Sequence, residues 1–67
     1  MSVAKNTELS ATSTQSFEDA LRQGLARATK TLRNVRGAWI KEQEVTVKND
    51  QIAEYKVVMI VTFILED

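Results

Sequence analysis

The most apolar stretch of the chain lies at its end, in residues Gln51 to Leu65. Within it, the segment YKVVMIVTFIL is apolar at every odd-numbered position and at most even-numbered positions. Because successive side chains of a strand point to opposite faces, this pattern predicts a β-strand that needs cover on both sides. We expect the odd-numbered face, with the larger side chains, to lie beneath a helix, and the even-numbered face to meet other subunits.

The segment from Ser16 to Asn34 is predicted to be that helix, because its apolar residues recur every three or four positions. These apolar residues are Phe17, Ala20, Leu21, Leu25, Ala28 and Leu32. Ser16 is the expected N-cap, and the acidic residues that follow it suit the positive end of a helix dipole. Gly24 lies on the apolar side and predicts close packing between the helix and the sheet.

Shorter signals predict the elements that flank the helix and the last strand. Met1–Leu9 alternates weakly between apolar and polar residues, which indicates an edge strand. The small polar residues of Ser10–Gln15 predict a loop, and Asn49-Asp50 predicts a tight turn. The order is therefore strand, helix and long hairpin, which is an α+β class within a single domain over residues 1–67.

The first strand of that hairpin, Arg36–Lys48, changes the parity of its apolar positions. Ala38 and Ile40 are even-numbered, whereas Val45 and Val47 are odd-numbered. A strand keeps one face in the core through such a switch only if a residue is added. The pattern therefore predicts a bulge or a sharp bend between Lys41 and Glu44.

A chain of 67 residues makes a small core, which is marginally stable without further support. The sequence has no cysteine and no histidine, which excludes disulfides, thiolate metal sites and the commonest general base. Oligomerisation is the remaining support, and it agrees with the two-sided last strand. We find no nucleophile–base pair and no phosphate-binding loop, so we do not expect an enzyme.

Nine basic residues balance nine acidic residues, which gives a net charge of zero. This balance argues against non-specific binding to nucleic acid or to an anionic membrane. The longest apolar run is too short to cross a bilayer, and the N-terminus lacks the pattern of a secretion signal. We therefore expect a cytoplasmic protein without nucleic-acid or membrane partners.

Two groups of residues in the hairpin are candidates for binding. Glu42 and Glu44 are spaced to share a strand face, where they form either a solvated charged edge or a site for a hard cation such as calcium. Trp39 shares its face with Gly37, away from the helix, and is either an interface anchor or a stacking surface for a flat aromatic ligand. Lys56 is expected on that same face, as an exposed charge or a ligand contact.

The sequence resembles the dodecin family over essentially its whole length. The resemblance is carried by SFEDALRQGLARATKTLRN in the helix and EYKVVMIVTFILED at the end. It implies a β-α-β-β subunit whose three-stranded antiparallel sheet wraps partly around one helix. It further implies a homododecamer that forms a hollow shell and stores a flavin, riboflavin or FMN, at two-fold interfaces without catalysing a reaction.

The resemblance also suggests which residues bind the ligand. Flavin-binding dodecins stack a tryptophan on the flavin at the position that corresponds here to Gly37, and Trp39 follows two residues later on the same face. They hydrogen-bond the ring edge with a glutamine that corresponds to Lys56. The expected flavin-binding set is therefore Gly37, Trp39, Lys56 and Val58. Other members bind calcium, and IKEQEV here is similar to their acidic second strand, which implicates Glu42 and Glu44. The alternative expectation is therefore a dodecin variant without flavin that serves as a structural or a calcium-binding dodecamer.

Overall fold

The computed structural model describes residues 2–65, in which one helix packs against a three-stranded antiparallel sheet. The elements are β1 (Val3–Ser13), α1 (Phe17–Thr31), β2 (Val35–Lys48) and β3 (Gln51–Leu65). The strand order is β1-β3-β2, so the most apolar strand is central and β1 is an edge strand, as predicted. The α+β class and the β-α-β-β order are confirmed. No helix within the described range is long and apolar enough to span a membrane.

The prediction of a loop over Ser10–Gln15 is wrong for its first four residues, because β1 continues to Ser13. Its ladder with β3 runs without a break from Val3 opposite Leu65 to Ser13 opposite Tyr55. Small polar residues have little strand preference of their own. Here their pairing with a central apolar strand is favourable enough to keep them in β1. The start of the predicted strand, Met1, lies outside the described residues.

The helix begins as predicted and ends earlier than predicted. Ser16 is the N-cap, and its side chain accepts a hydrogen bond from the backbone N–H of Asp19 at 2.9 Å. The helix ends at Thr31 instead of Asn34. Asn34 has a φ of 60°, a left-handed conformation that asparagine tolerates and that turns the chain into β2.

The predicted bulge in β2 falls at Lys41, the first residue of the expected interval. Ile40 pairs with Met59 and Glu42 with Val58, so Lys41 is the added residue. Two further irregularities, at Val35/Gly37 and at Thr46/Val47, were not predicted. The tight turn at Asn49 and Asp50 is confirmed by their φ angles of 53° and 61°.

The odd-numbered face of β3 lies beneath α1, as predicted. Val57, Met59 and Val61 are fully buried there. Gly24 makes this contact possible, because a Cβ at its position would lie 2.6 Å from Met59 Sδ and 3.3 Å from Leu9 Cδ1. The close packing predicted for Gly24 is therefore confirmed.

The strand β2 receives no comparable cover, because α1 packs against β1 and β3. Every residue of β2 after Val35 is exposed. Exposed apolar side chains line the helix side of the hairpin, where their register partners include Met59 and Tyr55. We call this set the β2 ridge; it consists of Ile40, Val45 and Val47 of β2 together with Ile52 of β3, which pairs with Val47.

A hydrogen-bonded carboxylate fixes the start of α1 to the end of β1. Asp19 Oδ2 accepts hydrogen bonds from Ser13 Oγ and from Gln23 Nε2, both at 2.6 Å. These two hydrogen bonds, that from Ser13 above all, hold the pKa of Asp19 below its ordinary value of 3.8. The ionised carboxylate is thus the form that the folded state prefers.

Gly24→Ala tests the close approach of helix and sheet. Alanine gains about 1 kcal/mol of helix propensity, but overpacking a well-filled core costs about 1–3 kcal/mol. We expect a net loss of about 1 kcal/mol in the free energy of unfolding, measured by urea denaturation. Ala26→Gly, on the exposed side of α1, measures the propensity contribution alone. Stabilisation by Gly24→Ala would contradict the packing described here.

Asp19 should make stability depend on pH. Its lowered pKa contributes stability that is present above pH 3.8 and is lost as the pH falls through the folded-state pKa. We expect Asp19→Asn to flatten the acid side of the stability curve, measured by denaturation at fixed protein concentration. Glu18→Gln removes a neighbouring carboxylate but none of these hydrogen bonds, and it should keep the Asp19 contribution. An unchanged curve for Asp19→Asn would contradict the expectation.

Candidate functional site

All six candidate residues lie on the sheet face that points away from α1, here called the distal face. From Lys56 onward, the even-numbered residues of β3 occupy this face, because odd-numbered neighbours such as Val57, Met59 and Val61 are buried under the helix. The candidates of β2 pair with those even-numbered residues. The candidates are Gly37, Trp39, Glu42, Glu44, Lys56 and Val58. The distal position of Gly37, Trp39 and Lys56 was predicted, and so was a shared face for Glu42 and Glu44; that this is the same face for all of them was not.

The register of the strands arranges the distal face in four neighbouring rows, each with one residue from β1, β3 and β2. They are Asn6, Thr62 and Gly37 in the glycine row; Glu8, Ile60 and Trp39 in the tryptophan row; Ser10, Val58 and Glu42 in the valine row; and Thr12, Lys56 and Glu44 in the lysine row. Adjacent rows are about 7 Å apart, since two strand residues separate them. Gly37 and Trp39 are therefore direct neighbours.

Trp39 and Gly37 together form an open, partly aromatic surface. The Trp39 side chain is large and apolar, yet the residue is 50% exposed. A Cβ at Gly37 would meet no atom within 4 Å, so the position beside the indole is open space. This is the part of the distal face that can accommodate a flat apolar ligand.

An ion pair crosses the distal face next to this surface. Lys41 Nζ lies 3.0 Å from Glu8 Oε1. Lys41 belongs to β2 and Glu8 to β1, so the lysine side chain passes over the central strand near Val58. The hydrogen bond to Glu8, followed by the charges of Glu8 and Glu42, raises the pKa of Lys41 above its ordinary value of 10.5. Lys41 is therefore charged, and its side chain extends across the sheet to Glu8.

The sequence did not reveal this crossing. Lys41 bounded the segment where a bulge was predicted, and Glu8 lay within a predicted strand. Their contact depends on the order β1-β3-β2, which brings the two edge strands to opposite sides of β3. The only available signal was the bulge itself, which adds a side chain to the distal face.

Lys56 has a partner of its own. Its Nζ lies 3.3 Å from Glu44 Oε1, directly across the ladder. The lysine row is two rows from the tryptophan row, about 13 Å along β3, and the Lys41 side chain passes between them. The structure therefore brings Gly37 and Trp39 together, places Val58 near the crossing, and separates Lys56 from both.

The candidate metal ligands share a face but do not form a cluster. Glu42 and Glu44 occupy neighbouring rows, and Glu44 is engaged by Lys56. Within residues 2–65 there is no group of three or more histidine, cysteine or acidic side chains placed to hold a metal ion. This arrangement is typical of a charged surface in which neighbouring residues of opposite sign pair.

Comparison with known proteins decides the family. A family model named Dodecin matches residues 3–66. The chain belongs to the dodecin family. A curated dodecin from Thermus thermophilus is 42% identical over 65 residues, which cover 97% of this chain and 94% of that protein.

Solved dodecin structures share the whole fold. The crystal structure of an arginine-to-alanine mutant of the Thermus thermophilus dodecin superposes with a TM-score of 0.94 at 40% identity and covers 100% of both chains. A calcium dodecin from Mycobacterium tuberculosis, described as having a novel calcium-binding site, has a TM-score of 0.82 at 26% identity. It covers 96% of this chain, and the match spans 91% of that chain. The fold of this chain is therefore shared with dodecins over essentially its whole length.

Proposed function

We propose that this chain is the subunit of a dodecin-type storage shell that binds a flavin, riboflavin or FMN, on its distal face. The observation that carries the proposal is the half-exposed Trp39 beside the open position at Gly37. Family membership supports binding of a small ligand. The proposed role is sequestration rather than catalysis, which agrees with a chain that has neither histidine nor cysteine.

The chemistry of this surface suits a flavin. When bound, a flavin supplies a flat conjugated ring whose excited state is quenched by a stacked aromatic group. Trp39 provides an indole for such stacking, and Gly37 leaves room for the rest of the ring. The Lys41–Glu8 ion pair bounds the surface on its other side. The protein's part is to hold the ring flat and to exclude water from one of its faces.

Calcium is the alternative ligand that the Mycobacterium tuberculosis relative brings into consideration. Glu42 and Glu44 would be its ligands here. Glu44 is already paired with Lys56, and a calcium ion normally needs six or more oxygen ligands. We therefore place flavin first and use calcium as a competing outcome in the test.

Assembly into a homododecamer is part of the proposal, and the β2 ridge supports it. Val47 and Ile52 are 59% and 53% exposed, although both are large aliphatic residues. A two-stranded ribbon is marginally stable in water by itself. Burying the ridge between copies would remove this apolar surface from water, and a closed symmetric assembly would do so for every copy.

Titration of riboflavin and FMN with metal-stripped protein tests ligand binding. We expect strong quenching of flavin fluorescence by the wild type. Trp39→Ala should weaken binding by about 5- to 150-fold, because base–aromatic stacking is worth about 1–3 kcal/mol. Trp39→Phe should retain part of the affinity, since it keeps a ring.

The aromatic residue Phe17 provides the control for that titration. It packs edge-to-face on Tyr55 at 5.1 Å, on the helix side of the sheet. Phe17→Leu should therefore leave the flavin affinity unchanged. If the wild type leaves flavin fluorescence unchanged at micromolar concentration but gains thermal stability with calcium, the flavin proposal is wrong and the cation alternative is favoured.

Sedimentation velocity tests the assembly. We expect the wild type to sediment as one species of about 90 kDa, as twelve chains of 7.5 kDa require. Val47→Asp should shift it to smaller species, because the substitution places a charge on the β2 ridge. Val3→Asp is the matched control, since Val3 is 61% exposed and lies outside the ridge. A folded wild-type monomer, or equal effects of both substitutions, would contradict this assignment.

A further inference from the structure

A hydrogen-bonded polar pair lies beside the open position at Gly37. In the glycine row, Thr62 Oγ1 donates a hydrogen bond to Asn6 Oδ1 at 2.8 Å. Thr62 is on the central strand directly opposite Gly37, and Asn6 is the next residue across on β1. Gly37 has no side chain to separate this pair from Trp39. The aromatic surface and the polar pair are therefore parts of one open region.

We propose that Asn6 and Thr62 recognise the polar edge of the ligand whose ring stacks on Trp39. This inference rests on the proposed function, and it names the residues that would make the site specific for one class of ligand. The ligand class is a planar aromatic ring with a cyclic imide edge, in which an N–H lies between two carbonyl groups. The pyrimidine part of a flavin has such an edge.

The hydrogen-bonding capacity of the pair matches that edge. The carbonyl of the Asn6 amide accepts from Thr62, which leaves the amide NH2 as a donor for a ring carbonyl. Within the described residues this NH2 donates no hydrogen bond. The Thr62 hydroxyl oxygen donates its hydrogen to Asn6 and keeps lone pairs that can accept from the imide N–H. The pair thus offers a donor and an acceptor side by side.

The position of the pair also fits the ring. The glycine row and the tryptophan row are adjacent, about 7 Å apart, and neighbouring strands are about 4.8 Å apart. A ring that rests against Trp39 and passes over Gly37 reaches Thr62 within its own length. Any side chain larger than hydrogen at position 37 would reduce this space. In this proposal Gly37 therefore leaves space for the ring, and its lack of a side chain is not the loss of a ligand contact.

Lys56 is a poorer candidate for the same role. It is paired with Glu44 at 3.3 Å and lies on the far side of the Lys41–Glu8 crossing. Its ammonium group has three donors and no acceptor, so it cannot accept from an imide N–H. Within one chain, both its position and its chemistry favour the Asn6–Thr62 pair.

The experiment compares riboflavin with its N3-methyl analogue, which has the same ring and tail but lacks the imide N–H. Both are titrated by fluorescence quenching and by thermal shift. We expect the wild type to bind riboflavin about five- to tenfold more tightly, the effect of one net hydrogen bond. Thr62→Val and Asn6→Leu should remove this preference by weakening riboflavin binding, with little change for the methyl analogue.

Two controls make the result specific. Thr12→Val is the same substitution on the same face of the sheet, but in the lysine row, and it should leave both affinities unchanged. Lys56→Met should keep the preference for riboflavin. The inference is overturned if Lys56→Met abolishes the preference while Thr62→Val retains it, or if the wild type binds both flavins equally. If the wild type binds neither flavin, the proposed function itself fails.

Discussion

The central strand β3 is apolar on both faces, and the described chain has one helix with which to cover it. The helix covers the odd-numbered face, where Val57, Met59 and Val61 are fully buried. This cover depends on a close approach at Gly24, which leaves no room for a side chain above Met59. The distal face and nearly all of β2 stay uncovered. Completion of the core therefore requires something outside the chain, which in our proposal is other copies of it.

One added residue in β2 shapes both faces of the sheet. The bulge at Lys41 returns Val45 to the helix side, so the β2 ridge remains apolar on both sides of the irregularity. The same bulge supplies the lysine that crosses β3 to reach Glu8. The distal face is divided as a consequence, with Trp39 on one side of the crossing and Lys56 on the other. The proposed assembly surface and the proposed binding surface thus depend on the same local feature.

The local spacing of apolar residues correctly predicted the start of α1, the two faces of β3 and the region of the bulge. It failed where long-range pairing decides the outcome. Ser10 to Ser13 join β1 because β3 pairs with them, and a local reading of small polar residues cannot detect that partner. At the site, parity placed Trp39 and Gly37 correctly. The Thr62–Asn6 hydrogen bond joins residues 56 positions apart, which no local pattern indicates.

Gly37 shows why a candidate site has to be judged in three dimensions. In the sequence alone, Gly37 stands where the family resemblance led us to expect a stacking tryptophan. Glycine in a strand is destabilising by about 0.5–1 kcal/mol relative to alanine, so its presence needs a reason. A conformational reason does not apply, because neither glycine has a positive φ, and no neighbouring atom would obstruct a Cβ at position 37. The reason that our proposal supplies is space for a ligand on the distal face, between the indole of Trp39 and the hydroxyl of Thr62.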